Sequence, residues 1–303
     1  MATTPRITPN IWFQGNAGEA VEFYLATFGG DSEILKTVSY PETGLPDFQR
    51  EFAGQILVSD FSLRGYRMTA LNAGEEFTPN PAISFTLNFD PVQYPDADAA
   101  RADLDALWHR LSAGGQMLMP LQEYDFSRRY GWVQDRYGVS WQLILTYPEG
   151  DPRPFIMPTF MFGGSHQNLA AEAIDYWTGV FPNSSHGAQV RYTKSAGPAT
   201  TASLMFSDFT LDQQWFVAMD SAVEQDHTFT EGLSLLVACE DQAEIDYYWE
   251  ALSAVPEAEQ CGWCKDRFGV SWQIVPQQMD QLMQHPGAYQ HMLSMKKLVI
   301  VDI

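Results

Sequence analysis

Residues 131–142 read GWVQDRYGVSWQ, and residues 262–273 read GWCKDRFGVSWQ. Nine of the twelve positions agree at a constant offset of 131; the exceptions are Val133 and Gln134 against Cys264 and Lys265, and Tyr137 against Phe268. Agreement this dense marks an internal repeat, and a repeat governs every later reading of the fold. Inside the motif, an acidic residue followed three positions later by glycine is turn chemistry, so the flanking segments are expected to pair as hairpins. Past the turn, Ser140 and Gln142 share one strand face while Trp141 and Leu143 take the other, because side chains alternate along a strand. Ser271 and Gln273 stand in the same relation to Trp272.

Other segments match in the same order. EAVEFY (19–24) answers EAIDYW (172–177) at an offset of 153, SDFSL (59–63) answers SDFTL (207–211) at 148, and Ser84 answers Ser234 at 150. The fall to 131 at the closing motif places an insertion late in the first copy, about GGQMLMPLQEYDFSRR (114–129). Two tandem domains are expected, 1–148 and 155–303, the second with a helical C-terminal tail, joined by the polar TYPEGDPRPF linker. In each copy the periodicity reads strand, helix, three strands, and then the same again. The helices are NAGEAVEFYLATFGG, with Ala20, Phe23, Tyr24 and Phe28 on one face, and DADAARADLDALWHRLSAGG in the first copy; NLAAEAIDYWTGVF and DQAEIDYYWEALSAV are their equivalents in the second.

The bulk numbers set bounds. A chain of 303 residues, 45% apolar, can bury a full core. Its net charge of -21, from 38 acidic against 17 basic residues, repels phosphate backbones and anionic lipid, so no nucleic acid and no membrane are expected as partners. No stretch approaches the roughly 20 apolar residues of a membrane helix, and MATTPRITPN lacks the sections of a signal peptide, which points to a cytoplasmic acidic protein. Three cysteines, Cys239, Cys261 and Cys264, are too few for a disulfide framework.

ITPNIWFQGNAGEAVEFYLATFGG, SLLVACEDQAEIDYYWEALS, CGWCKDRFGVSWQIVP and the tail MLSMKKL together resemble the PhnB-like branch of the vicinal oxygen chelate superfamily, the fold of glyoxalases, bleomycin-resistance proteins and extradiol dioxygenases. The likeness spans nearly the whole chain, once per half. It implies an α+β, glyoxalase-like fold: four βαβββ modules, paired into half-open, curved, antiparallel-rich sheets around a cavity, in two tandem domains. Single-copy relatives pair as two chains, so the duplication implies an intramolecular pseudo-dimer, either monomeric or a homodimer in solution. The branch carries the label demethylubiquinone methyltransferase, yet no glycine-rich loop of the kind that cradles S-adenosylmethionine follows the first strand, which argues against methyl transfer.

Metal-dependent members of the superfamily take His, Glu or Gln ligands from the opening and closing strands of each module. Those places fall near Asn10, Met68, Ser84 and Gln142 in the first half and near Thr159, Phe216, Ser234 and Gln273 in the second, without a histidine or a carboxylate. No metal and no cofactor are therefore expected. His109, His166, His186, His227, His285 and His291 form no ligand spacing. The Cys261–Cys264 pair leads into a hairpin, not a helix N-terminus, which favours structural thiols over a redox or zinc pair, with Cys261 a candidate pocket thiol. The Asp241, Glu244 and Glu250 helix face reads as solvated, and Glu123 and Arg128 fall in a loop-like lid segment.

Candidate ligand-binding residues are Asn10, Trp12, Ser84, Tyr124, Trp132 and Gln142 in the first domain and Thr159, Ser234, Cys261, Trp263 and Gln273 in the second. Two accounts of the Ser and Gln pairs stand side by side: an internal network, Gln142 to Ser84, holding modules in register, or the polar floor of a small-molecule pocket. The function expected is metal-free binding or sequestration of a small molecule. The alternative is a divergent vicinal oxygen chelate lyase, isomerase or dioxygenase, and whether the chain is an enzyme stays open.

Overall fold

The computed structural model describes residues 5–303. The first module contains β1 (Ile7–Gln14), α1 (Ala17–Phe28), β2 (Glu33–Ser39), β3 (Ile56–Leu63) and β4 (Tyr66–Ala73). The second contains β5 (Ile83–Phe89), α2 (Ala97–Ser112), β6 (Gln116–Tyr124), β7 (Ser127–Gln134) and β8 (Ser140–Leu145). The third contains β9 (Ile156–Phe162), α3 (Ala170–Val180), β10 (Ser185–Arg191), β11 (Leu204–Leu211) and β12 (Gln214–Asp220). The fourth contains β13 (Leu233–Cys239), α4 (Gln242–Leu252), β14 (Trp263–Lys265) and β15 (Ser271–Pro276), and the tail adds α5 (Met279–Leu282) and α6 (Ala288–Ser294).

These modules build two sheets, of seven and eight strands, and the pairing crosses the halves of the chain. Sheet A joins the first and fourth modules through antiparallel β1 and β13, with Asn10 opposite Ser234; its order is β14-β15-β13-β1-β4-β3-β2. Sheet B joins the second and third modules through β5 and β9, with Ser84 opposite Thr159; its order is β10-β11-β12-β9-β5-β8-β7-β6. Each sheet is thus composed from both copies, where the resemblance had suggested that each half would wrap its own. The cause lies in the chain path: the strand opening each module runs beside the strand opening a module of the other copy.

The helix-side faces of both sheets share one continuous core that includes Phe13, Tyr24, Phe85, Trp141, Phe160, Trp177 and Trp272. Burying that many aromatic rings, each worth 150–250 Å² in general, dominates the stability of the molecule. α2 starts at an Asp96 cap that accepts from the Ala99 amide at 2.8 Å, and α4 starts at Asp241, which accepts from Glu244 at 3.0 Å.

The repeated motif now has a physical account. Asp135 accepts from the Tyr137 and Val139 amides at 2.8 and 3.1 Å, closing the turn, and from the Tyr24 hydroxyl and Trp141 indole at 2.9 and 2.8 Å. Asp266 does the same with Phe268, Val270, Trp177 and Trp272, all at 2.9 to 3.0 Å. Gly138 and Gly269 follow with φ of 86° and 84°, a conformation that favours glycine.

Two segments differ from the expectation. The insertion at 114–129 is not a loop but β6 and the start of β7, so Glu123 lies on an edge strand and Arg128 on the strand paired beside it. β10, SHGAQVR, is exposed along its whole length; its polar sequence carries no alternating pattern, which is why it went unread, and it places His186 on a strand. No helix among the described residues is long and apolar enough to cross a membrane.

Candidate functional site

The face of sheet A turned away from the core lines a cleft of about 1520 Å³. Thr8, Asn10 and Trp12 reach it from β1 and Arg67, Thr69, Leu71 and Ala73 from β4. Leu236 and Ala238 on β13, and Gln273 and Val275 on β15, continue it. The residues one step along each strand face the helices instead. Met68 and Phe216 are such residues, buried in the core. The positions sought on β4 and β12 are therefore Thr69, opposite Asn10, and Val217, opposite Thr159; the sequence alignment had slipped by one residue, which reverses the face.

Because the sheets cross the halves, the candidate residues regroup. Asn10, Trp12, Cys261, Trp263 and Gln273 line the sheet A cleft, and Ser234 underlies it, accepting from Gln273 Nε2 at 2.9 Å and Asn10 Nδ2 at 3.4 Å. Trp12 and Trp263 meet edge to face at 6.1 Å, and Phe77 abuts Trp12 at 5.0 Å. Ser84, Tyr124, Trp132, Gln142 and Thr159 lie on sheet B instead. A first-domain pocket uniting Trp12 with Trp132 and Tyr124 is not formed, since those side chains belong to different sheets.

On sheet B the polar groups satisfy one another. Tyr130 donates its hydroxyl to Gln142 Oε1 at 2.8 Å, and Gln142 Nε2 donates to Ser84 at 2.8 Å. Thr86 and Thr159 share a hydrogen bond at 2.7 Å, and the Trp132 indole donates to Ser140 at 2.7 Å. Tyr124 donates to the Pro120 carbonyl and sets its ring edge-on to Tyr130 at 5.6 Å; Phe126 packs against the same ring at 5.0 Å. The Gln142–Ser84 bond therefore exists as the internal-network account had it, although it joins the opening and closing strands of one module and not two modules.

The tail, which has no counterpart after the first copy, covers one edge of the cleft. Met279, Met283, Tyr289, Met292 and Leu293 line it from that side. Tyr289 donates to Gln49 at 2.8 Å and Gln290 to the Gly44 carbonyl at 3.0 Å, while Lys36 on β2 pairs with Asp280 on α5. The segment of residues 44–49 and the tail thus form a cover whose underside is methionine-rich and adaptable. Asp60 on the floor accepts from Thr69 at 2.8 Å, and Glu231 pairs with Lys265 at 2.8 Å.

The fold family implies a metal on this face. Here the inward positions of the opening and closing strands are Asn10, Thr69, Ser234 and Gln273: two amides and two hydroxyls. Neutral oxygen donors without imidazole, thiolate or carboxylate do not suit the transition metals of the superfamily. Among the described residues, no three His, Cys, Asp or Glu side chains gather as a metal would need. The two thiols of Cys261–Cys264 part company: Cys261 lines the cleft, whereas Cys264 is buried in the core. Burial pushes both thiols above the ordinary cysteine value, which makes them poor nucleophiles. On the α4 face, Asp241 caps the helix and Glu244 pairs with Arg6 at 2.8 Å, so those carboxylates are structural, and Glu250 is exposed.

Comparison with known proteins matches this architecture. The family model for 3-demethylubiquinone-9 3-methyltransferase matches residues 5–144 and again 154–275. A PhnB protein from Bacillus cereus is 33% identical over 47% of this chain and all of its own, with a TM-score of 0.39. A Pseudomonas aeruginosa protein is 22% identical over 47% of this chain and 98% of its own, at 0.38. A glyoxalase I variant from Zea mays is 11% identical but covers 92% of this chain and 96% of its own, at 0.50, a likeness of fold alone. Among curated protein sequences none matches. The two family matches, one per copy, settle the affiliation: the chain belongs to the 3-demethylubiquinone-9 3-methyltransferase family, the PhnB-like branch of the vicinal oxygen chelate superfamily.

Proposed function

We propose that the protein binds or sequesters a small molecule, without a metal, in the cleft of sheet A. The observation that carries this reading is the contrast between two equivalent faces. On sheet B the polar pocket is closed by its own side chains, while on sheet A the same strands open onto a cleft of about 1520 Å³ with aromatic and methionine walls and a few inward amides and hydroxyls. Ligand sites have this composition in general: apolar walls with a small number of placed polar groups. The family name speaks of methyl transfer, but the β1–α1 connection holds Gly15 and Asn16 and no second glycine, which argues against a cradle for a nucleotide-bearing methyl donor.

A thermal-shift screen of small aromatic compounds tests the proposal, with Ala238→Trp as the cleft-filling control. A true ligand at about 100 times its Kd adds on the order of 2.7 kcal/mol to the native state. Hits that stabilise the native chain and not Ala238→Trp support the cleft; hits indifferent to that substitution, or none at all, count against it.

A further inference from the structure

The closed sheet contains a template for what the open sheet lacks. On sheet B, Gln142 sits between two hydroxyls, donating to Ser84 and accepting from the Tyr130 phenol, each at 2.8 Å. On sheet A, Gln273 keeps the first of these bonds, to Ser234 at 2.9 Å. The residue equivalent to Tyr130 at the repeat offset is Cys261, whose backbone turns to a φ of 53° and whose thiol donates to the Leu293 carbonyl at 3.6 Å. Gln273 Oε1 is left without a donor among the described residues.

A second bond is missing on the same strand. The Trp132 indole donates to Ser140, but the equivalent Trp263 has turned toward Trp12, leaving Ser271 Oγ buried and without a partner. Ser271 is not part of the cleft lining, whereas Gln273 is, so Gln273 Oε1 is the acceptor that a group entering the cleft can reach and satisfy.

Resting on the reading of this cleft as a ligand site, we infer that the ligand is a neutral phenol. Its O–H donates to Gln273 Oε1, supplying from outside the bond that Tyr130 makes within sheet B, and its ring lies against Trp12 and Trp263. Neutrality follows from the acceptor, because a phenolate has no proton to give a carbonyl oxygen.

The test is isothermal titration of the intact chain with 4-hexylphenol and with its methyl ether, which has the same ring and tail but no donor. The phenol should bind about tenfold more tightly, the effect of one hydrogen bond, and Gln273→Met should erase that difference while retaining ether binding. A phenol acidic enough to ionise between pH 6 and 9 should lose affinity across that range, and 4-hexylphenol should not. Equal binding of phenol and ether to the native chain overturns the phenol assignment and leaves the cleft as an apolar site. Binding of neither overturns both. The native comparison needs no variant, so a Gln273→Met that misfolds does not shelter the inference.

Discussion

At the scale of single residues, the repeated motif turns on Asp135 and Asp266. Each is buried and accepts four hydrogen bonds, and burial still pushes its carboxyl up to about 6 against those donors. A folded-state value above the ordinary one means that the native protein holds the proton more tightly than the unfolded chain. The contribution is then fully present below the ordinary carboxylate range and is lost as pH rises through about 6. Urea midpoints should therefore be higher at pH 5.5 than at pH 8; a midpoint that rises with pH over this window would contradict the assignment. Asp266→Asn replaces an acceptor by an amide that points hydrogens at donors. It should cost about 2 to 3 kcal/mol in denaturant titrations at pH 7, and a variant as stable as the native chain would show that the four bonds count for little. The motif's turn and its alternation were legible in the sequence, because each is a short-range consequence of residue type; the Gln142–Ser84 bond, across 58 residues, was one of two accounts the sequence left open. Thr69 and Val217 were missed because a one-residue slip on a strand exchanges the faces. Tyr130 was missed because it stands just before the motif, and its hydroxyl has meaning only once Gln142 is placed opposite.

At the scale of elements, the copies differ where the sequence had flagged an insertion and a tail. The insertion supplies β6, which extends sheet B, and Tyr124 at its end packs against Tyr130. The fourth module has no such strand, and there α5 and α6 stand over the cleft. That the tail would be helical could be read from its pattern; that it faces Gln49 and Gly44 could not, because the contact spans some 240 residues of chain. Tyr289→Phe removes the bond to Gln49 and should leave global stability within about 1 kcal/mol while loosening the cover. Amide exchange of residues 44–52 and 279–294 should speed up selectively. Unchanged exchange in both segments would mean that the cover is held by its methionine packing alone.

For the whole molecule, the decisive fact is that sheets cross the halves while the helix-side faces share one core. Composition, repeat and resemblance led to four modules of the right kind, but the choice between pairing within a copy and pairing across copies depends on contacts more than 200 residues apart, such as Asn10 with Ser234. Neither half alone can complete the cleft, since Asn10 and Trp12 come from one and Gln273 and Trp263 from the other. Calorimetry should show one cooperative transition, and two resolved transitions would mean that the halves unfold as separate units.

The most direct test of the account is the stoichiometry of 4-hexylphenol binding to the intact chain, measured by isothermal titration beside Ala238→Trp. One site per chain, abolished by Ala238→Trp, is the result expected if sheet A is open and sheet B is sealed by Tyr130. Two sites per chain, or one that survives Ala238→Trp, would contradict it.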